Sequence, residues 1–151
     1  MGEVITFTSG KGGVGKTTTT ANVGAGLSLL DKKVVLVDTD IGLRNLDVVM
    51  GLENRILYNL VDVLSGRCRA KQAIIRDKRF PNLSVIPSSC TKEKILLDSD
   101  QMKHLLDDLR QEFDYILVDS PAGIDQGFLL AITGADRIVA VSYTHLRAHE
   151  T

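Results

Sequence analysis

"GKGGVGKTTTT", residues 10–20, decides how the rest of the chain is read. Apolar residues from Val4 to Thr8 run into it as a strand, and the pattern after Lys16 leaves it as a helix. That is the setting in which a glycine-rich turn becomes a phosphate-binding loop. Gly10, Gly12, Gly13 and Gly15 let backbone N–H groups converge on phosphate oxygens without a Cβ in the way. The positive end of the following helix strengthens the same anion site. Lys16 is placed to neutralise β- and γ-phosphates, and the Thr17 hydroxyl to ligate Mg²⁺. With Lys11, Gly12, Gly13, Val14, Gly15 and Thr18, these two residues form the candidate nucleotide-binding stretch.

Such a loop needs one lysine, and this one has two. Lys11 reads either as a solvated surface lysine or as a cation that reaches a nucleotide held by a facing, two-fold related subunit. Cations added in trans to phosphate-loop enzymes are worth about 10³ to 10⁵ in rate. Spacing alone leaves both readings open.

Short apolar runs alternate with helical patterns along the chain, which predicts an α/β domain with a mostly parallel sheet flanked by helices. Strands are expected at Val4–Thr8, Lys33–Asp38, Leu83–Pro87, Tyr115–Asp119 and Asp136–Val141. Helices are expected at Lys16–Leu30, Asn59–Leu64, Asp100–Gln111 and Gln126–Thr133. "VVLV" and "YILV" lack polar alternation, as strands covered on both faces do. Met102, Leu105, Leu106 and Leu109 recur at helical spacing and read as a core stripe.

The acids fall where a phosphate loop needs them. "VLVDTD" places Asp38 and Asp40 at the C-terminal end of the second strand, facing the ligand crevice of an open α/β sheet. Asp40 is a candidate for orienting the attacking water and Asp38 for holding a metal-bound water; loop and capping acids are the plainer alternative. "YILVDSPAG" ends its strand in Asp119, a candidate metal contact. Pro121 and Gly123 make a turn suited to sensing the γ-phosphate.

Composition narrows the class. The chain has 151 residues, 44% hydrophobic and 25% charged, with a formal net charge of −1. It is long enough for one core, and the balance excludes disorder and gives no basic footprint for nucleic acid. Cys68 and Cys90 lack metal-ligand spacing and read as free thiols of a reducing, cytoplasmic compartment. Gly2 and Thr6 formally fit a myristoylation pattern, but a buried first strand is the better reading. "VSYTHLRAHET", residues 141–151, breaks the α/β pattern and begins inside an expected strand without a turn signal. His145 and His149 there stand at i and i+4, as metal ligands can. The peptide instead resembles the conceptual translation of a transposon-end adapter from sequencing libraries. Residues 1–140 are therefore taken as natural protein, truncated on its C-terminal side, and 141–151 as adapter.

"TSGKGGVGKTTT", "LVDTDIGLRNLDVVMGLENRI", "VDVLSGRC", "IRDKRF" and "EFDYILVDSPAGIDQG" together resemble the MinD/ParA family of deviant-Walker P-loop ATPases, the group defined by the extra lysine. The resemblance covers residues 1 to about 140. It implies an ATP- and Mg²⁺-dependent ATPase that dimerises on ATP, with Lys11 reaching the partner subunit's nucleotide. It further implies Lys11, Lys16 and Asp40 as catalytic and Thr17, Asp38 and Asp119 as metal-supporting residues. In the branch that places the division septum, it implies recruitment of a MinC-like inhibitor and regulation by a MinE-like activator or its substitute. Arg44, Asn45, Asp47 and Glu53 lie near that branch's partner-docking surface. Reversible attachment to the inner face of the cell membrane uses a C-terminal helix that binds anionic lipid, and these residues do not include it. The 151-residue chain by itself is expected to be inactive.

ParA-like partition ATPases share the loop, but "DIGLRNLD" and the absent DNA footprint point away from them. In flagellar-number regulators Arg44 is more often a small residue. In nitrogenase iron proteins a cluster cysteine follows the metal-binding aspartate by seven residues, and that position here is Gln126.

Overall fold

The structure, a computed structural model, describes residues 1–9, 15–40, 46, 50–51, 57–89, 98–121 and 126–141, and of 126 and 127 only the backbone. Among them six strands form one sheet, placed side by side as the third, fourth, second, fifth, first and sixth along the chain. The strands are β1 Glu3–Thr8, β2 Val34–Asp38, β3 Ile75–Arg76, β4 Leu83–Ile86, β5 Tyr115–Asp119 and β6 Arg137–Ala140. All neighbours pair in parallel except β3 with β4.

The apolar runs form central strands because both faces are covered. Val34 and Leu36 of β2 pack with Phe7, Ala21, Leu83 and Leu117 in one core layer. Val35 and Val37 point the other way, toward Leu60, Met102, Leu106 and Ile116. The strand therefore has no face free for polar residues, which is why it reads as a continuous apolar run.

Helix α1 spans Lys16–Leu29 and approaches the sheet through small residues, Thr20, Ala21, Gly24 and Ser28. A Cβ on Gly24 would stand 2.7 Å from Leu36 Cδ2, so a larger side chain there would push the helix off the sheet. Asn59, expected inside a helix, is instead the N-cap of α2, Leu60–Leu64. Its side chain accepts from the Asp62 N–H, while Asp62 accepts from the Asn59 N–H. That reciprocal box fixes the helix start one residue later than the apolar pattern suggests. Two elements were not expected: the four-residue α3, Ala70–Ala73, and the two-residue β3. Both are too short to show a period.

Helix α4, Ser99–Glu112, begins at the Asp98 cap and buries the expected stripe of Met102, Leu105, Leu106 and Leu109. At its far end Arg110 clamps the chain's start to the turn before β6. Its guanidinium donates to the Gly2 carbonyl at 2.9 Å, the Gly134 carbonyl at 3.0 Å and both Asp136 oxygens. Asp136 in turn accepts from the Val4 N–H at 2.8 Å. The clamp holds the Asp136 carboxyl below the usual carboxylate range. The Gly2 N–H is itself bound to the Arg110 carbonyl at 3.0 Å, which fits the packed first strand.

The last described helix, α5, is Gln126–Ile132. Leu129 on it and Ile138 and Val139 of the edge strand β6 are exposed, leaving apolar surface at that side of the sheet. Of the expected adapter segment, 141–151, only Val141 is described; its N–H donates to the Thr8 carbonyl at 2.7 Å, and residues 142–151, with His145 and His149, lie outside the described residues.

Candidate functional site

Parallel pairing brings the C-terminal tips of β1, β2 and β5 together, and α1 starts directly above them. Gly15 is the N-cap of α1 at φ 80°, a left-handed conformation that strains any residue with a Cβ. No side chain caps α1, and its first turn contains no acid. Its orphan N–H groups and the positive end of the helix therefore remain available to an anion.

Lys16, the first residue of α1, is 1% exposed and forms an ion pair with Asp119 at the end of β5. The Thr17 hydroxyl donates to the other Asp119 oxygen at 2.9 Å. Thr20, one helical turn on, donates to the Lys16 carbonyl at 2.9 Å and lies 3.5 Å from Asp119 Oδ1. One buried carboxylate thus gathers the lysine and two hydroxyls of the helix start.

Asp38 stands opposite Asp119 in the β2–β5 register. It accepts from the Asp40 N–H at 2.9 Å and the Leu46 N–H at 3.0 Å. Burial pushes its carboxyl up to about 7 against the pull of those two N–H groups, with the charges of Asp119 and Asp40 adding to the rise. Between these acids, Thr39 donates from its hydroxyl to the Asp119 carbonyl at 2.8 Å. Ser120 likewise donates to the Phe7 carbonyl at 2.7 Å. These two hydroxyls tie the tips of β2, β5 and β1 at the level of the acids.

The raised Asp38 carboxyl has a consequence for stability. An acid whose folded pKa lies above its unfolded value penalises the folded state as pH rises between the two, here from about 4 to about 7. In Mg²⁺-free buffer the urea stability of the protein is therefore expected to fall by about 2–3 kcal/mol from pH 5 to pH 8. Asp38→Asn should flatten that dependence; an unchanged slope in the variant would contradict the burial argument.

The structure thus gathers Gly15, Lys16, Thr17, Asp38 and Asp119. Asp40 sits at the edge of this cluster, half-buried, and the side chain of Thr18 is exposed. Lys11, Gly12, Gly13 and Val14, and likewise Arg44, Asn45, Asp47 and Glu53, lie outside the described residues. Thr20, Thr39 and Ser120 escaped the sequence reading. For Thr20 the signal was there: it stands four residues after Lys16, on the same helical face.

A cation, a hydroxyl and two carboxylates at an uncapped helix start suit a phosphate anion accompanied by a divalent metal. Among the described residues no three His, Cys, Asp or Glu side chains gather as a metal cluster. A metal here would therefore share its coordination with oxygens of the anion and water, as Mg²⁺ commonly does.

Comparison with known proteins agrees with this chemistry. The sequence model of the AAA domain family matches residues 2–150. The chain is similar to the septum site-determining protein MinD of Bacillus subtilis, at 56% identity over 149 residues, covering 98% of this chain and 56% of that one. The fold is similar to MinD in the MinC:MinD cell division protein complex of Aquifex aeolicus, with TM-score 0.81 and 48% identity over 91% of this chain and 55% of that one. It is also similar to the MinD of Pyrococcus horikoshii complexed with Mg-ADP, with TM-score 0.84 and 32% identity over 94% of this chain and 58% of that one. The chain spans just over half the length of these relatives.

Proposed function

The chain belongs to the AAA domain family, on its MinD/ParA P-loop side, and from that premise we propose that it supplies the ATP- and Mg²⁺-binding part of a dimerising ATPase that places the division septum. The observation that carries this reading is the convergence of Lys16, Thr17 and Asp119 at the uncapped start of α1, with Asp38 beside them.

Each residue has a role that its position suits. The N–H groups at the start of α1 and Lys16 hold the phosphates, while Gly12, Gly13, Val14 and Gly15 supply the loop and Thr18 the next turn. Thr17 Oγ1 and Asp119 would hold the metal, and Asp38, the register neighbour of Asp119, would hold a water of its shell. Mg²⁺, when bound, offsets phosphate charge and orients the reacting group. Asp40 orients the attacking water, and Lys11 reaches across the two-fold to the partner's nucleotide. The ion pair of Lys16 with Asp119 keeps both side chains buried and aimed at the helix start. It competes with phosphate for the lysine and with metal for the carboxylate.

In the full-length protein the ATP dimer recruits a MinC-like inhibitor through the segment holding Arg44, Asn45, Asp47 and Glu53. A MinE-like activator or its substitute stimulates turnover, and anionic lipid is bound through a C-terminal helix. The protein would then cycle between cytoplasm and the inner face of the membrane. No described helix is long and apolar enough to cross a membrane.

Turnover is the test. Full-length protein is expected to hydrolyse ATP slowly alone and faster with activator and anionic vesicles present, while Asp40→Ala binds ATP but does not turn over. Normal turnover in that variant would remove Asp40 from the chemistry, and no turnover in the wild type under any of these conditions would sink the ATPase reading.

A further inference from the structure

At the opposite end of the sheet a cleft of about 650 Å³ lies among Lys33, Lys71, Arg76, Asn82, Ser84 and Glu112. Lys33 immediately precedes β2 and Asn82 precedes β4, whereas Asp38 ends β2. From Val34 to Asp38 the strand covers about 13 Å at ~3.3 Å per residue. The cleft is therefore separate from the nucleotide site.

Its charge is mixed, with cations in the majority. Lys33, Lys71 and Arg76 are exposed, and among the described residues none of them forms an ion pair. Arg76 stands opposite Ser84 in the β3–β4 pair. Ser84 is only 6% exposed, and its hydroxyl has no hydrogen bond among the described residues, yet the residue lines the cleft. Its oxygen therefore faces the cleft, where a ligand or water can reach it. Glu112, Asp114 (whose carboxylate accepts from the Lys33 N–H at 2.9 Å) and the C-terminal end of α4 oppose an anion there, but three cations outnumber the two carboxylates. Basic residues on an edge strand also discourage strand pairing between molecules. That accounts for Arg76 and leaves Lys33 and Lys71, which lie off the edge strand, unexplained.

We propose that this cleft binds a phosphoryl group, carried by a soluble phosphorylated metabolite or by a phospholipid headgroup. Arg76 offers paired N–H donors that match phosphate oxygens, Lys33 and Lys71 supply charge, and Ser84 gives a neutral hydrogen bond.

Pyrophosphate is the probe, titrated calorimetrically into full-length protein already saturated with Mg-ADP so that the phosphate loop is filled. One further equivalent is expected to bind. Lys71→Glu with Arg76→Glu should weaken it about tenfold or more. Ser84→Ala, which leaves every charge in place, should weaken it by a smaller but measurable factor, with ADP affinity unchanged in both variants as the check on folding. Flotation with phosphatidylcholine vesicles containing phosphatidic acid separates the sources. Reduced vesicle binding by the double variant assigns a headgroup, and unchanged vesicle binding with lost pyrophosphate binding assigns a soluble ligand. Absence of the extra equivalent in the wild type, or equal affinity in wild type and both variants, would overturn the proposal.

Discussion

Lys16→Ala is expected to abolish ATP binding, weakening it more than about a hundredfold. The lysine is fully buried and its charge has one described partner, the Asp119 carboxylate. Removing a charge from such a pair costs about 3–5 kcal/mol where the remaining charge stays buried. Two losses act together at this position. The phosphates lose their cation, and Asp119, still bonded by Thr17, becomes an unpaired buried anion that repels them. Equilibrium titration with a fluorescent ATP analogue reads the loss, and circular dichroism checks the fold. Unchanged affinity in a folded variant would remove Lys16, and with it the phosphate-loop assignment.

Lys11→Ala is expected to behave differently, retaining much of its ATP binding while losing dimerisation and turnover. Lys16 already supplies the charge within its own subunit, so a second lysine is needed only where a second subunit brings its nucleotide. Mixing subunits makes this sharp. In a heterodimer of Lys11→Ala with Asp40→Ala, a lysine acting in trans leaves one composite site with both defects and the other intact. About half of one dimer's activity should return, as a two-fold interface requires. A lysine acting within its own subunit puts one defect in each site, and no activity returns. A dead mixture in which heterodimers demonstrably form would return Lys11 to its own loop.

Much of the fold was legible because the strands that matter are buried on both faces. Val34–Asp38 and Tyr115–Asp119 announce themselves as unbroken apolar runs ending in an acid. α4 was equally plain, since one apolar stripe faces the sheet and the rest is polar. α1 was found through the loop before it rather than through amphipathicity, because its buried face is made of Thr20, Ala21, Gly24 and Ser28. β3 and α3 were invisible, being held by tertiary pairing and a local cap rather than by any period of their own. At the site, acids at strand ends could be located from sequence, since in a parallel sheet the tips must cluster. The hydroxyls that bind those tips to one another could not. Thr39 and Ser120 follow Asp38 and Asp119 by one residue, and only the register shows that they reach across to β5 and β1. Nor does a sequence show that Asp38 is buried deeply enough to hold its proton near neutral pH.

The central claim is that Lys16, Thr17 and Asp119 hold Mg-ATP and that this binding builds the dimer. Sedimentation of full-length Asp40→Ala protein, without lipid, measures it most directly. The account predicts monomer with ADP, monomer with ATP when Mg²⁺ is chelated, and dimer with ATP and Mg²⁺ together, the last abolished by adding Lys16→Ala. A dimer that forms equally without nucleotide, or one that persists in the Lys16→Ala background, would contradict it.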